Sequence, residues 1–299
     1  MFRSYINHSK LMSNDKLKWL IFTGLSLVWG SSFILMKLAM LHLSAIQVGA
    51  LRMIIAAVFL LLIGFKSLKH ISLRQWRILF FIALAGTFIP TFLFTLAIQH
   101  IDSGIVAILN SFTPLNTLLV GYFFFHYLFN KRQIAGIALG IIGTILLVGA
   151  GAQSHPESNY WYALLVLAAT IGYAINVNVI KLYLADLDTM SIAVGNFAWV
   201  LLPALAVLYF TGFFQMDFTH VPVSMSLLYV AILAILGTAL AMIYFNKMIK
   251  IASPIFAASV TYTIPVVALL WGLWDGEHIS LLQILAGAII LLGVYIVNK

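Results

Sequence analysis

Apolar stretches of about 20 residues, each long enough to carry an α-helix across a bilayer, recur from one end of this 299-residue chain to the other. By that ruler, spans fall at about 17–38, 46–64, 76–98, 102–125 and 133–151. After the polar break Gln153-Ser154-His155-Pro156-Glu157 they recur at about 160–181, 189–210, 225–246, 252–273 and 279–297. In hydrocarbon each backbone N–H and C=O must be satisfied within the segment, and segments of this length do so as helices. The expected fold is an all-α polytopic membrane protein with ten transmembrane helices. Only 8% of residues are charged and 63% are apolar, where a water-facing domain carries roughly a quarter charged residues. The lipid bilayer is therefore the expected partner of the outer surface. Neither the N-terminal tail nor the stretch from Thr211 to Ser224 is long enough to bury a core of its own.

Orientation follows from the basic residues, which concentrate on the cytoplasmic side of membrane proteins. With the N-terminus inside, the inner segments hold Arg3, Lys10, Lys16, Lys18, Lys66, Lys69, Arg74, Arg77, Lys131, Arg132, Lys181, Lys247, Lys250 and Lys299, fourteen of the sixteen lysines and arginines. The outer loops hold none, and Lys37 and Arg52 lie within spans. Adding or removing one helix would destroy this alternation, so both termini are expected in the cytoplasm. The basic N-terminus suits a secretory leader, but the stretch 17–38 is too long for one and lacks an A-x-A-like exit. The net charge of +8 is spread over short clusters and forms no stripe, so nucleic acid is not an expected partner. The chain has no cysteine, which excludes disulfides, thiolate metal sites and thiol catalysis. It shows no metal constellation, nucleophile triad or phosphate-binding glycine loop, so no cofactor, metal or ATPase activity is expected.

The two halves repeat. At an offset of 151 residues Pro114 falls on Pro265, Gly136 on Gly287 and His126 on Glu277. At 144, Trp29 falls on Tyr173, Lys37 on Lys181 and Arg52 on Asn196. A repeat of five helices must enter the membrane from the opposite side in its second copy, giving an inverted pair, as is common among secondary transporters. The organisation read from this is a cytoplasmic tail (1–16), a first five-helix repeat (17–151), an outer linker (152–159) and a second repeat (160–299).

Short motifs carry a family resemblance. Trp29-Gly30-Ser31-Ser32-Phe33 resembles the W-G-x-x-F signature of EamA-type members of the drug/metabolite transporter superfamily. Leu51-Arg52, the mid-helix prolines, Gly276-Glu277, Gln283 and Gly287 fit the same pattern, and the match runs through both halves. The resemblance implies a ten-helix inverted repeat around a cavity lined mainly by the first, third, fourth, sixth, eighth and ninth helices. It also implies export of amino acids, metabolites or drugs, the closest characterised kind being exporters of aromatic amino acids and amphipaths. The chain departs from the pattern at His126, where the family usually has Glu, and at Asn196, which shows that the arginine is not duplicated.

Several residues stand out in this frame. Ser103, Ala107, Asn110, Pro114, Thr117 and Gly121 share one face of the fourth helix. That face serves either close helix packing or a cavity wall, with Pro114 freeing a backbone carbonyl; the wall is favoured for Asn110 and Thr113. Thr261, Tyr262 and Pro265 would form the equivalent wall on the ninth helix. Asn176, on one face with Ala169 and Gly172, either bridges helices or faces the cavity. Trp29 and Phe33 share a face that offers aromatic surface to an apolar solute or packs in the core. Arg52 lies about 9 Å inside the outer face at 1.5 Å per residue, where a charge is costly and functional by default. Lys37 is nearer its helix end and is expected to snorkel, while Gly136, Gly140 and Gly143 suit helix packing or a dimer contact.

The candidate substrate-binding set is thus Trp29, Phe33, Arg52, Asn110, Thr113, Asn176 and Tyr262, with Pro114 and Pro265 as helix breaks. All eight acidic residues and all eight histidines fall in loops or at helix ends. No proton relay is evident, and export down a solute gradient is as open as proton antiport. The expected function is a secondary transporter, monomeric or homodimeric, moving a small amphipathic metabolite, an amino acid among the candidates, across a bacterial inner membrane. The alternatives are an intramembrane lipid-modifying enzyme, which needs facing aspartates or clustered histidine and glutamate, and a non-transporting scaffold, for which the loops are short.

Overall fold

The computed structural model describes residues 2–126, 128, 130–154, 159–216, 221–252 and 254–298. Among these there is no strand. Nine helices are long and apolar enough to cross a membrane: α1 (Lys16–Ala39), α2 (Ala45–His70), α3 (Leu73–Ile98), α4 (Ser103–Phe125), α5 (Lys131–Ala150), α6 (Tyr160–Tyr183), α7 (Thr189–Phe210), α8 (Val223–Ile251) and α9 (Phe256–Trp274). A shorter apolar helix, α10 (Leu281–Ile296), follows. The helix carrying α1 runs unbroken from Phe2, so residues 2–15 are helical and lead into the first apolar span at Lys16. The helix of α5 continues to Ser154; residues 155–158 of the expected linker lie outside the described residues.

Local chemistry sets the helix ends. Ser44 and Ser72 open α2 and α3 with reciprocal capping boxes to Gln47 and Gln75, each satisfying two backbone donors that a helix start leaves open. Asp188 caps α7 through the Ser191 N–H. The turn after α9 passes through Gly276 at φ +85°, a backbone region that glycine enters without steric cost.

Among the described residues four helices are interrupted in mid-span, and these meet at the centre of the molecule. α4 stops at Asn110 and restarts at Thr113, and α9 passes through a 3-10 turn at Ser259–Tyr262 before resuming at Ile264. Proline explains both breaks, since it lacks an N–H and its ring crowds the carbonyl four residues back. The carbonyl freed by Pro114 belongs to Asn110 and accepts the Thr113 hydroxyl at 2.7 Å. The carbonyl freed by Pro265 belongs to Thr261 and accepts the Ser111 hydroxyl, from the break in α4, at 3.0 Å. α3 and α8 each contain a π-helical turn, at Leu84–Phe88 and Ile235–Leu240. These turns place Gly86 and Gly237, and Thr87 and Thr238, 151 residues apart.

α5 and α10 pack on each other away from the cavity. A Cβ at Gly293 would lie 2.6 Å from the Gly136 carbonyl and 2.7 Å from the Gly140 nitrogen, and one at Gly143 would lie 2.8 Å from Ile290. The glycine run read as helix packing or a dimer contact is thus occupied within the chain, where absent side chains let two backbones touch.

Candidate functional site

A cavity of ≈ 110 Å³ lies where the irregular helices meet. α1 presents Trp29, Ser32, Phe33 and Met36 to it, and α2 presents Arg52 and Met53. Thr87 and Phe94 come from α3, Asn110 and Thr113 from α4, and Tyr173 and Asn176 from α6. Phe197 of α7, Thr238 and Phe245 of α8, and Thr261 and Ile264 of α9 complete the wall. The six helices implied by the resemblance all contribute, and the structure adds α2 and α7.

Six of the seven substrate-site residues read from the sequence, Trp29, Phe33, Arg52, Asn110, Thr113 and Asn176, line this one space. Tyr262 does not: its hydroxyl donates to the Val294 carbonyl of α10 at 3.5 Å, and Thr261 faces the cavity in its place. The 3-10 turn explains the difference, because three residues per turn instead of 3.6 rotates successive side chains away from α-helical register. Pro114 and Pro265 act through the backbone and are not on the cavity wall.

The π turns supply the polar fittings. The Trp29 indole N–H donates to the Gly237 carbonyl at 3.0 Å. Arg52 Nε donates to Thr238 Oγ1 at 2.7 Å, while the Thr238 hydroxyl donates to the Leu233 carbonyl five residues back. A Cβ at Gly237 would lie 2.7 Å from Ser32 Oγ, and one at Gly86 would lie 2.5 Å from Asn176 Cβ. Ser32 and Asn176 are themselves 144 residues apart, so the π-turn glycine of each half seats the same position on a helix of the other half. The symmetry fails at one place. Asn196 and Thr87 are the counterparts of Arg52 and Thr238, yet Thr87 Oγ1 and both polar atoms of the Asn196 amide are buried with no partner among the described residues. The arginine spans from α2 to α8; the shorter amide makes no such bond between α7 and α3.

The walls are otherwise aromatic. Tyr173 stacks on Phe94 at 5.5 Å, Phe33 meets Phe94 edge-on at 6.2 Å, and Trp29 meets Phe245 at 5.0 Å. Among the described residues Arg52 is the only charged side chain on the lining. Its protein acceptors are neutral, Thr238 Oγ1 and, weakly, Met36 Sδ at 3.6 Å.

At one end of the bundle the structure corrects the expectation for Lys37. Its ammonium, instead of reaching into solvent alone, lies 2.7 Å from Asp275 and 2.9 Å from Glu277. The Glu277 carboxylate also accepts from the Ser103 hydroxyl at 2.6 Å and from the backbone N–H groups of Ser103 and Gly104 at 3.3 and 3.1 Å. It thereby caps α4, where unsatisfied donors and the helix dipole favour an anion. The counterpart of Lys37, Lys181, has no carboxylate partner among the described residues, and His126 holds the position that corresponds to the glutamate. It donates instead to the carbonyls of Ile249, Lys250 and Ala252 at the end of α8.

Comparison with known proteins agrees with this architecture. The model of the EamA-like transporter family matches residues 17–149 and again 160–299. The chain is 29% identical over 281 residues to the "Uncharacterized inner membrane transporter YedA" of Escherichia coli (strain K12), covering 92% of this chain and 88% of that protein. It is 24% identical over 152 residues to the Salmonella typhimurium protein named "Probable amino-acid metabolite efflux pump", covering 49% of this chain and 48% of that protein. A solved crystal structure superposes with a TM-score of 0.65 at 18% identity over 93% of this chain and 94% of the other, a likeness of fold. Because the family model fits each half separately and the two fits together take in all ten apolar helices, this integral membrane protein belongs to the EamA-like transporter family.

Proposed function

We propose that the protein is a secondary transporter that carries a small amphipathic metabolite across a bacterial inner membrane by alternating access. In this reading ten spans form two inverted halves, 17–151 and 160–299, with both termini in the cytoplasm. The observation that carries it is the cavity: it sits at the helix breaks and π turns, and both halves line it. Sites of this kind, at discontinuous helices between inverted repeats, suit a solute bound at the midplane while the halves rock around it. The aromatic walls take an apolar body, and Arg52, Asn110, Thr113 and Asn176 take a polar end. The breaks at Pro114 and Pro265 are the hinges, and the Lys37–Glu277 pair closes the end opposite Lys181. The Escherichia coli relative's name supports the inner membrane as the location.

The test is release of metabolites from cells overproducing the protein, followed by mass spectrometry and then by flux in proteoliposomes. Selective flux that falls in Asn110→Ala and Asn176→Ala, with folded yield kept, is expected. Well-folded protein that moves nothing across a panel of amino acids, organic acids and amphipathic drugs overturns the reading.

A further inference from the structure

We propose that the solute of this cavity is an organic monoanion, with its carboxylate on Arg52 and a flat apolar body between the aromatic walls. The substrate class deepens the transport reading and rests on it only for the movement, not for the binding.

A guanidinium inside a membrane span is costly unless something negative meets it. Arg52 has five N–H donors, and they are poorly used. Nε is taken by Thr238 Oγ1. Nη1 reaches only the thioether of Met36, a weak acceptor. Nη2 has no partner among the described residues, and no carboxylate lies within ion-pair distance of the group. The Nη1–Nη2 edge is the geometry that takes a carboxylate with two parallel hydrogen bonds. The Tyr173 hydroxyl, on the same lining, also has no protein partner among the described residues and offers a further donor. On the same lining the Tyr173–Phe94 stack and the Phe33 ring, edge-on to Phe94, give an apolar aromatic surface.

The same wall discriminates against other charge types. Among the described residues no aspartate or glutamate lines the cavity, so an ammonium group finds no counter-charge from them. The neutral acceptors carry no charge to replace one: Asn110 Oδ1 lies 3.3 Å from a Thr113 hydroxyl that donates to the Asn110 carbonyl at 2.7 Å, and Asn176 Oδ1 is buried. A cation meets Arg52 as a like charge, and a zwitterion must desolvate an ammonium that only neutral oxygens and aromatic faces receive. The repeat carries Asn196 where a second arginine would stand, so the site holds one positive charge and suits one negative charge.

Four indoles of nearly one shape test this: indole-3-acetate (anion), tryptophol (neutral), tryptophan (zwitterion) and tryptamine (cation). Binding to the purified full-length protein is read by calorimetry at pH 7.5. Indole-3-acetate is expected to bind at least about tenfold more tightly than the other three. Arg52→Gln is expected to weaken it by about 10- to 100-fold, the worth of a charge-assisted hydrogen bond or two, and to weaken tryptophol far less, while Arg52→Lys, which keeps the charge without the two-pronged edge, restores only part of the loss. If Arg52→Gln does not fold, the ranking on the unaltered protein decides by itself. Tryptamine or tryptophan binding as tightly as indole-3-acetate, no binding of indole-3-acetate, or an unchanged ranking in Arg52→Gln overturns the assignment. Counterflow in proteoliposomes separates the two claims. Selective, Arg52-dependent binding without flux keeps the site and removes transport; flux of the four indoles without anion preference keeps transport and removes the site's charge selectivity.

Discussion

Glutamine in place of Glu277 keeps the side chain's shape and removes its charge at a site with little room for adjustment. Oε1 accepts from Lys37 at 2.9 Å and from the Ser103 hydroxyl at 2.6 Å, and Oε2 accepts from the Gly104 N–H at 3.1 Å. The side chain is only 1% exposed, so water cannot take over. An amide that keeps its oxygen toward Lys37 points its NH₂ at the Gly104 N–H, donor against donor; the flipped amide meets the ammonium. One charge-assisted hydrogen bond is lost, worth about 1.5–3 kcal/mol, and the remaining ones weaken. Lys37 is not stranded, because Asp275 stays at 2.7 Å, so the loss stays at or below the roughly 3–5 kcal/mol of a broken buried pair. We expect Glu277→Gln to cost about 2–4 kcal/mol, read from unfolding in mixed detergent–SDS micelles. Lys37→Met and the double variant complete a cycle whose coupling should be about 1–2 kcal/mol. A loss below about 1 kcal/mol, or additivity within about 0.5 kcal/mol, refutes the idea that this carboxylate ties α1, α4 and the α9–α10 turn together.

Three further outcomes follow from other contacts. Gly86→Ala brings a Cβ to 2.5 Å from Asn176 Cβ and 3.2 Å from the Gly172 carbonyl, and overpacking of this kind should lower stability by about 1–3 kcal/mol in the same titration. Asn196→Leu removes an amide that has no partner among the described residues, and should be neutral or stabilising by about 1 kcal/mol. A fall in flux with stability kept would place an Asn196–Thr87 contact in the other access state, whereas a clear loss of stability would show that the amide has a partner. Asp188, in the loop before α7, feels desolvation that pushes its carboxyl up, but hydrogen bonds from Ser191 and Met190 and the Lys250 charge outweigh it and hold the group below the ordinary range. Its contribution is therefore complete above the unfolded-state value of about 3.9 and fades as pH falls through the lower folded value. Asp188→Ala should cost roughly 1 kcal/mol at pH 7, a gap that narrows below about pH 4 in thermal melts.

Much of the bundle is legible in the residues themselves. Lipid imposes a length on each apolar run and demands that each run satisfy its own backbone, so spans read by counting fall within a few residues of the observed helices. Pro114 and Pro265 mark their breaks because the missing N–H is a property of the residue. Arg52, Asn110 and Asn176 point to the cavity because polar groups in a span need something to meet. The rest depends on neighbours far away in sequence. The π turns of α3 and α8 leave only a Gly-Thr pair 151 residues apart as a trace, and the one in α8 presents a carbonyl to Trp29 and a hydroxyl to Arg52. Whether Thr261 or Tyr262 faces the cavity turns on a few tens of degrees of helical phase. Lys37 alone looks like a lysine snorkelling to the headgroups; only packing brings it to Glu277, 240 residues away. The glycines of α5 suit any close partner, and the fold supplies α10 as that partner. A sequence states what each segment must bury and where its backbone must break, because those are local demands. Which donor meets which acceptor across helices is decided only when all the segments compete for the same interior.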